Sequence, residues 1–413
     1  MNIDRTYRKL WVRIAAGALI ASLLLSVIGC HKEAEPAGNS AAGTDTQTSS
    51  SEVFAGTTAA SSASGAAAAA DSEDGISYSR ELAQRSQSFS PEDAVLTTMG
   101  GGLPRQQKSY TVMVYMVGSN LESRLGKATL DMEEMEKAGL DFSKINLLVY
   151  TGGSRRWVGD VPADRNCVLD MSLPLEERIV AETDGNANMG AAETLSAFVN
   201  FCTDNYPAEH YGIVFWNHGG GPLWGYGSDE LFDADSLLLL EMRAAMEQTA
   251  FAGGARLDFV GFDACLMGSL ESMALWAPFA DYYIASEELE PGDGWNYTSL
   301  AILNQTDDPL QIAGALIDGF AAYYESIRTA TYNPDLTLSC VDLSKVGAVY
   351  DALDALSAQL AEDVNEGQYA ALMQLRAEAK SFGLAENAKG SVSFYYDLVD
   401  LYDLAEQLSE GYP

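Results

Sequence analysis

Only three histidines occur in the 413 residues of this chain, and one of them, His218, stands where an apolar run meets three glycines, in "YGIVFWNHGGG" (211–221). Cys265 closes a second apolar run, "DFVGFDAC" (258–265). An imidazole and a thiol in these places have the chemistry of a general base and a nucleophile. The imidazole lowers the pKa of the thiol and takes its proton, and the thiolate attacks an acyl carbon. The glycines suit that chemistry. Gly219, Gly220 and Gly221 let the backbone turn sharply and let a substrate main chain come close. The amide of Gly219, together with that of Cys265, would form an oxyanion hole, where one donor is worth about 10²–10³ in rate. Taken singly, a histidine after a strand is an ordinary turn residue and a lone cysteine is a small buried hydrophobe. Their matched positions at two strand ends, with a glycine run beside one of them, favour the catalytic reading.

Placing them together is the work of the surrounding elements. "YTVMVYMVG" (110–118) and "INLLVYTGG" (145–153) are continuous apolar runs ended by glycine, as expected of strands buried on both faces. "LGKATLDMEEMEKAGL" between them reads as a helix closed near Gly139. The alternation continues with a helix at "NMGAAETLSAFVNFCTDNYP", a strand at "HYGIVFWNHG", a helix at "LFDADSLLLLEMRAAMEQTA" and a strand at "RLDFVGFDACLMG". A helix at "SLESMALWAPF", a strand at "DYYIASEE" and a turn-rich "EPGDGWNY" follow. Strands separated by helices predict right-handed crossovers, a mostly parallel sheet and helices on both faces, with ligands bound beyond the carboxyl ends of the strands. The expected core covers 109–308. An extension over 309–413 is mainly helical, with strands at "LTLSCVDL" and "SVSFYYDL", and packs on that core.

Composition narrows the function classes. With 47% hydrophobic residues the chain has ample material for a core, and a formal charge of −35 argues against nucleic acid, which is bound by Lys and Arg displacing counterions. A cationic substrate is attracted instead. Arg5, Arg8, Lys9 and Arg13 precede an uncharged stretch from Ile14 to Gly29, the layout of a secretory signal over 1–29. It ends "VIGC", which resembles a bacterial lipobox and makes Cys30 the expected site of lipidation, the new amino terminus and a membrane anchor. The expected location is the outer face of the bacterial cell membrane. Residues 30–108 read as a flexible tether, nearly all Ala, Ser, Gly and Thr from Ser40 to Ala70, with a helix conceivable around "SRELAQRSQSF". Cys167, Cys202, Cys265 and Cys340 follow no disulfide or zinc pattern.

"NHGGG" followed by "GFDACLMG", with an opening "YTVMVYMVGSNLE", a later "ASEELEPGDGWNY", and "NMGAAETL" and "DLVDLYDLA" in order, resembles the clostripain family of cysteine peptidases, of the same clan as caspases, legumains and gingipains. The resemblance runs from about Tyr110 to the end. It implies a caspase-like three-layer α/β sandwich, a His218–Cys265 dyad needing no third member, and cleavage after basic residues, chiefly Arg. Asp263 offers a reason for that preference. Two residues before Cys265 on an extended strand, about 7 Å away on the same face, its carboxylate can hold an ammonium or the fork of a guanidinium. The alternative for Asp263 is an orienting role. Asp293, in "PGDGW", falls where the family has a second acidic pocket residue, although a turn residue is equally at home there. Trp295 is a candidate pocket wall or a core aromatic. The resemblance also implies processing after a basic residue between the histidine and the cysteine, where Arg243 sits within a predicted helix and Arg256, after the flexible "FAGGA" and directly before the catalytic strand, is the better candidate. No cofactor is required; the acidic loop "GSDELFDAD" (227–235) could take calcium but fits no EF-hand.

The expectation is thus a lipid-anchored, exported, monomeric endopeptidase acting on peptides with exposed Arg or Lys. Two rivals stand beside it: a surface protein of the same fold that binds peptides without hydrolysing them, and a transpeptidase using the same dyad.

Overall fold

The computed structural model describes residues 91–99, 104–329, 331–332, 334–386 and 392–411. The expected signal segment over 1–29, Cys30, the expected spacer and "SRELAQRSQSF" lie outside them. The strands are β1 (Thr97–Thr98), β2 (Lys108–Val117), β3 (Ile145–Gly152), β4 (Cys167–Asp170), β5 (Ile179–Glu182), β6 (Ala208–Trp216), β7 (Tyr226–Asp229) and β8 (Asp235–Leu237). They continue with β9 (Leu257–Asp263), β10 (Ala280–Ala285), β11 (Ser339–Asp342), β12 (Ser381–Glu386) and β13 (Val392–Val399). The helices are α1 (Ser119–Ser123), α2 (Lys127–Lys137), α3 (Ala192–Asn205), α4 (Gly221–Trp224) and α5 (Leu239–Met246). The remainder are α6 (Leu270–Trp276), α7 (Pro309–Ile327), α8 (Val346–Asn365), α9 (Tyr369–Glu378) and α10 (Leu401–Gly411).

Nine strands form one sheet in the order β1-β5-β4-β3-β2-β6-β9-β10-β11. Its centre, β3-β2-β6-β9-β10, is parallel, and the pairings outward from it are antiparallel. Alternate residues of β2 serve the two faces. Met113, Tyr115 and Val117 pack with Leu195 and Phe198 of α3, Met242 of α5 and Leu275 of α6. Val112, Val114 and Met116 pack with Met132 and Met135 of α2 and Ile312, Leu316 and Phe320 of α7. Both faces of the strands are therefore apolar, and the expected three-layer sandwich follows. Helix α7 starts where its sequence says it should: the Asp308 side chain accepts the Leu310 N–H at 3.0 Å, and Pro309 occupies the first helical position.

Three departures from the sequence reading have physical causes. The helix expected to begin at Leu231 begins at Leu239, because Asp233 and Ala234 adopt φ of 53° and 61° and turn the chain into the β7–β8 hairpin. Asp229 fixes that turn by accepting the Leu231 N–H at 2.8 Å. Strands β4 and β5 are only four residues each and carry no long apolar run to announce them. Residues 91–99, assigned to the tether, belong to the fold: Thr97 and Thr98 pair with β5 at the sheet edge, and Ala94 is buried. At the other edge β11 pairs with β10, so the extension completes the sheet as well as covering it.

Candidate active site

The register of β6 on β9 builds the site. Trp216 pairs with Asp263, and the Asn217 N–H donates to the Asp263 carbonyl at 3.2 Å. His218 and Cys265 each lie two residues past that last matched pair, at the same rim of the parallel sheet. Strand β2, on the other side of β6, is tied in by the Asn217 side-chain amide, which donates to the Val117 carbonyl and to Ser119 Oγ. Close packing then dictates glycine after the histidine. A Cβ on Gly219 would lie 2.0 Å from the carbonyl oxygen of Cys265, so no other residue fits without moving the nucleophile's backbone.

Backbone N–H groups converge on the sulfur. Glu290 N–H donates to Cys265 Sγ at 3.2 Å, and the amides of Gly219 and of Cys265 itself also face it. Leu266 holds a positive φ of 63°, an unusual conformation for a bulky residue other than glycine, and it turns the chain immediately after the thiol. Burial pushes the Cys265 thiol up to about 12, despite these donors. Burial likewise pushes His218 down to about 4. At neutral pH the resting pair is therefore an uncharged thiol and an uncharged imidazole. His218 Nε2 lies 2.8 Å from Asn120 Oδ1, at the start of α1. An amide oxygen only accepts, so in this pairing Nε2 carries the imidazole proton and Nδ1 is left as the base.

The acidic candidates divide. Asp263 is buried: its carboxylate accepts the Trp295 N–H at 3.2 Å and the Tyr297 hydroxyl at 2.8 Å, directly beneath Gly294, whose φ is +61°. Burial raises it to about 6. It braces the loop between β10 and α7. Glu290, on the same loop, is raised well above the carboxylate range by burial and by the neighbouring Asp263 charge. Two buried carboxyls side by side cannot both ionise, and Asp263, with the hydroxyl and amide donors, is the one suited to hold the charge. Asp293 is different. A third of its side chain is exposed, and it pairs with Lys127 Nζ and accepts the Tyr323 hydroxyl at 3.3 Å. Trp295 is core, 1% exposed, with its ring against Gly261 of β9, so it supports the loop from below and presents no surface to solvent.

Several contributors escaped the sequence reading. Asn120 and Glu290 lie within the stretches "YTVMVYMVGSNLE" and "ASEELEPGDGWNY" without a residue-level signal of their own, and Lys127 has none; it is the β2–β6 pairing that puts Asn120 beside the imidazole. The β12–β13 hairpin also reaches the site: Gly383 N–H donates to the Glu288 carboxylate at 3.0 Å, Gly383 abuts Leu266, and Leu398 lies against Gly221. The two processing candidates are both engaged. Arg243 lies within α5 and pairs with Glu247 at 2.8 Å. Arg256 precedes β9, with its guanidinium on Asp281 and on the carbonyls of Ala277, Pro278 and Ala280. In the acidic 227–235 loop, Asp235 takes the Asn188 amide at 2.8 Å, and among the described residues no group of three His, Cys, Asp or Glu side chains is arranged to hold a metal.

Clostripain from Hathewaya histolytica is 26% identical over 364 residues, which take in 74% of this chain and 66% of that protein. The chain thus spans just under two thirds of that relative's length. Among solved structures, a secreted C11 cysteine protease from Bacteroides thetaiotaomicron in complex with an irreversible peptide inhibitor is 22% identical, covering 58% of this chain and 67% of its own, with a TM-score of 0.47. An inactive zymogen C11 protease from Parabacteroides distasonis is 24% identical, covering 59% and 64%, with a TM-score of 0.45. The model of the clostripain family, Peptidase C11, matches residues 114–413, and with that match over most of its length the chain belongs to the clostripain family.

Proposed function

We propose that the chain is a cysteine endopeptidase that hydrolyses peptide bonds after basic residues, chiefly Arg, and that it works from the outer face of the cell membrane, held by lipid on Cys30. The observation that carries the catalytic part is the β6–β9 register, which brings His218 to the rim where Cys265 stands with Gly219 packed against its backbone.

Chemistry follows from the uncharged resting pair. As a substrate carbonyl enters, His218 Nδ1 takes the thiol proton and a C–S bond forms while the carbonyl π electrons move to oxygen. The amides of Gly219 and Cys265, which lie near the sulfur, donate to that oxyanion. Collapse breaks the C–N bond, and the imidazolium gives its proton to the departing amine. Water, deprotonated by the same imidazole, then cleaves the thioester. Asn120 holds the ring through the cycle and stabilises its protonated form. The exposed carboxylate of Asp293 receives the basic side chain that precedes the scissile bond, and Asp263 adds negative potential from beneath the loop.

The test uses the full chain in detergent with fluorogenic peptides ending in Arg, Lys, Ala or Asp. Turnover restricted to Arg and Lys, and lost in Cys265→Ala and His218→Ala, is expected. Binding of the same peptides with no turnover in any activation condition favours the non-hydrolytic rival, and product masses showing amine capture favour the transpeptidase.

A further inference from the structure

The Lys127–Asp293 ion pair is a puzzle for an acidic pocket. The carboxylate proposed to receive the substrate's cation already holds one. Lys127 is moreover badly placed for its own helix. It is the first residue of α2, where the positive end of the helix macrodipole disfavours a cation, and no acidic residue stands in that first turn to compensate. A residue that works against its local element has a reason elsewhere in the structure. The ammonium meets Asp293 Oδ1 and the Tyr323 hydroxyl meets Oδ2, while Tyr332 lies close enough to feel both charges. Both members are partly open to solvent, 24% and 34% exposed, so the pair can exchange. The loop that carries Asp293 also carries Glu290, whose backbone N–H sits on the catalytic sulfur. Whatever displaces Lys127 therefore acts within three residues of the nucleophile's own contact.

Resting on the basic-residue reading above, we propose that Lys127 is a specificity-determining residue: it occupies the cation position on Asp293, and a substrate side chain must displace it to bind. The consequence is a bias toward Arg. Replacing one ammonium by another on the same carboxylate gains nothing electrostatically. A guanidinium brings a planar fork that can engage both carboxylate oxygens, which a point-charge ammonium cannot match. Lys127 thus penalises lysyl substrates more than arginyl ones.

The experiment measures kcat and KM for matched Arg, Lys, Ala and Asp peptides with the full-length wild type, Lys127→Met and Lys127→Gln. Thermal midpoints of all three show that α2 is intact. The proposal expects kcat/KM on Lys peptides to rise by up to about fivefold in both variants, the scale of one partly exposed ion pair. The rise comes through KM, is smaller on Arg peptides, and so narrows the Arg/Lys ratio. A wild type silent on Lys peptides alongside a variant that cleaves them supports the same conclusion. Equal or lower efficiency on Arg and Lys alike, with the ratio unchanged, overturns it and leaves the basic-residue reading standing, with Lys127 an anchor of α2. Cys265-dependent cleavage only after non-basic residues in wild type and variants alike overturns both.

Discussion

At the residue scale, the proposed mechanism depends on a neutral thiol and a neutral imidazole being held so that one proton can pass between them. Asn120 does the holding. Asn120→Ala is expected to lower kcat by about 10- to 100-fold, the scale of losing a positioned catalytic group's orientation. Asn120→Asp should recover much of the rate, since a carboxylate also accepts from Nε2–H, and its charge should move the acid limb of the kcat/KM profile upward from the region near pH 4 set by His218. A merely structural role for Asn120 would lower the rate without moving that limb. Cys265 makes a second, thermodynamic prediction. Its folded pKa of about 12 stands above the ordinary value of 9.0, so between those values the folded chain keeps a proton that the unfolded chain has lost. Stability should therefore fall as pH rises from 9 to 12, and Cys265→Ala should be less sensitive there, measured as urea midpoints at pH 8 and 11. His218, Cys265 and Gly219 were legible from the sequence because glycines and strand ends leave a visible signature. Asn120 was not, because an asparagine after a strand looks like any turn residue until the neighbouring strand is known.

At the scale of elements, β6 and β9 position the proposed dyad and the β10–α7 loop carries the proposed pocket residue Asp293. Gly219→Ala cannot be accommodated, because the new Cβ would meet the Cys265 carbonyl oxygen at 2.0 Å. It should abolish turnover while the far side of the sheet, and hence most of the circular dichroism, is preserved. Tyr297→Phe removes the hydroxyl bond to the buried Asp263 carboxylate and should cost about 1–3 kcal/mol in chemical denaturation, as for any hydrogen bond to a buried charge. A raised KM for Arg peptides should accompany it as the Asp293 loop loosens. The central strands could be read directly, since burial on both faces makes them continuous apolar runs. The acids were harder to sort. Asp263 and Asp293 look equivalent in sequence, and only the donors around the first and the solvent beside the second show that one braces the loop and the other faces outward.

For the whole molecule, the fold begins earlier than its apolar pattern suggests, while the strands expected at "LTLSCVDL" and "SVSFYYDL" are present as β11 and β13. Residues 91–99 close one sheet edge and β11 closes the other, while the β12–β13 hairpin borders the catalytic loop. Removing everything before Ser109 should expose the edge of β5 and lower the thermal midpoint relative to a chain begun at Ser86. A two-residue edge strand such as β1 contributes almost no apolar surface, which is why it does not announce itself in the sequence, whereas β11 and β13 fall on the runs read there as strands. The proposed lipid anchor on Cys30 predicts that the protein sediments with membranes and that Cys30→Ala releases it into the soluble fraction. The most direct measurement for the central claim is covalent labelling of the full chain with a peptidyl chloromethyl ketone ending in arginine, followed by peptide mapping. The account predicts a single adduct on Cys265, slowed in His218→Ala and blocked by an arginyl substrate. An adduct on Cys340 or another residue, or labelling indifferent to the arginine, would contradict it.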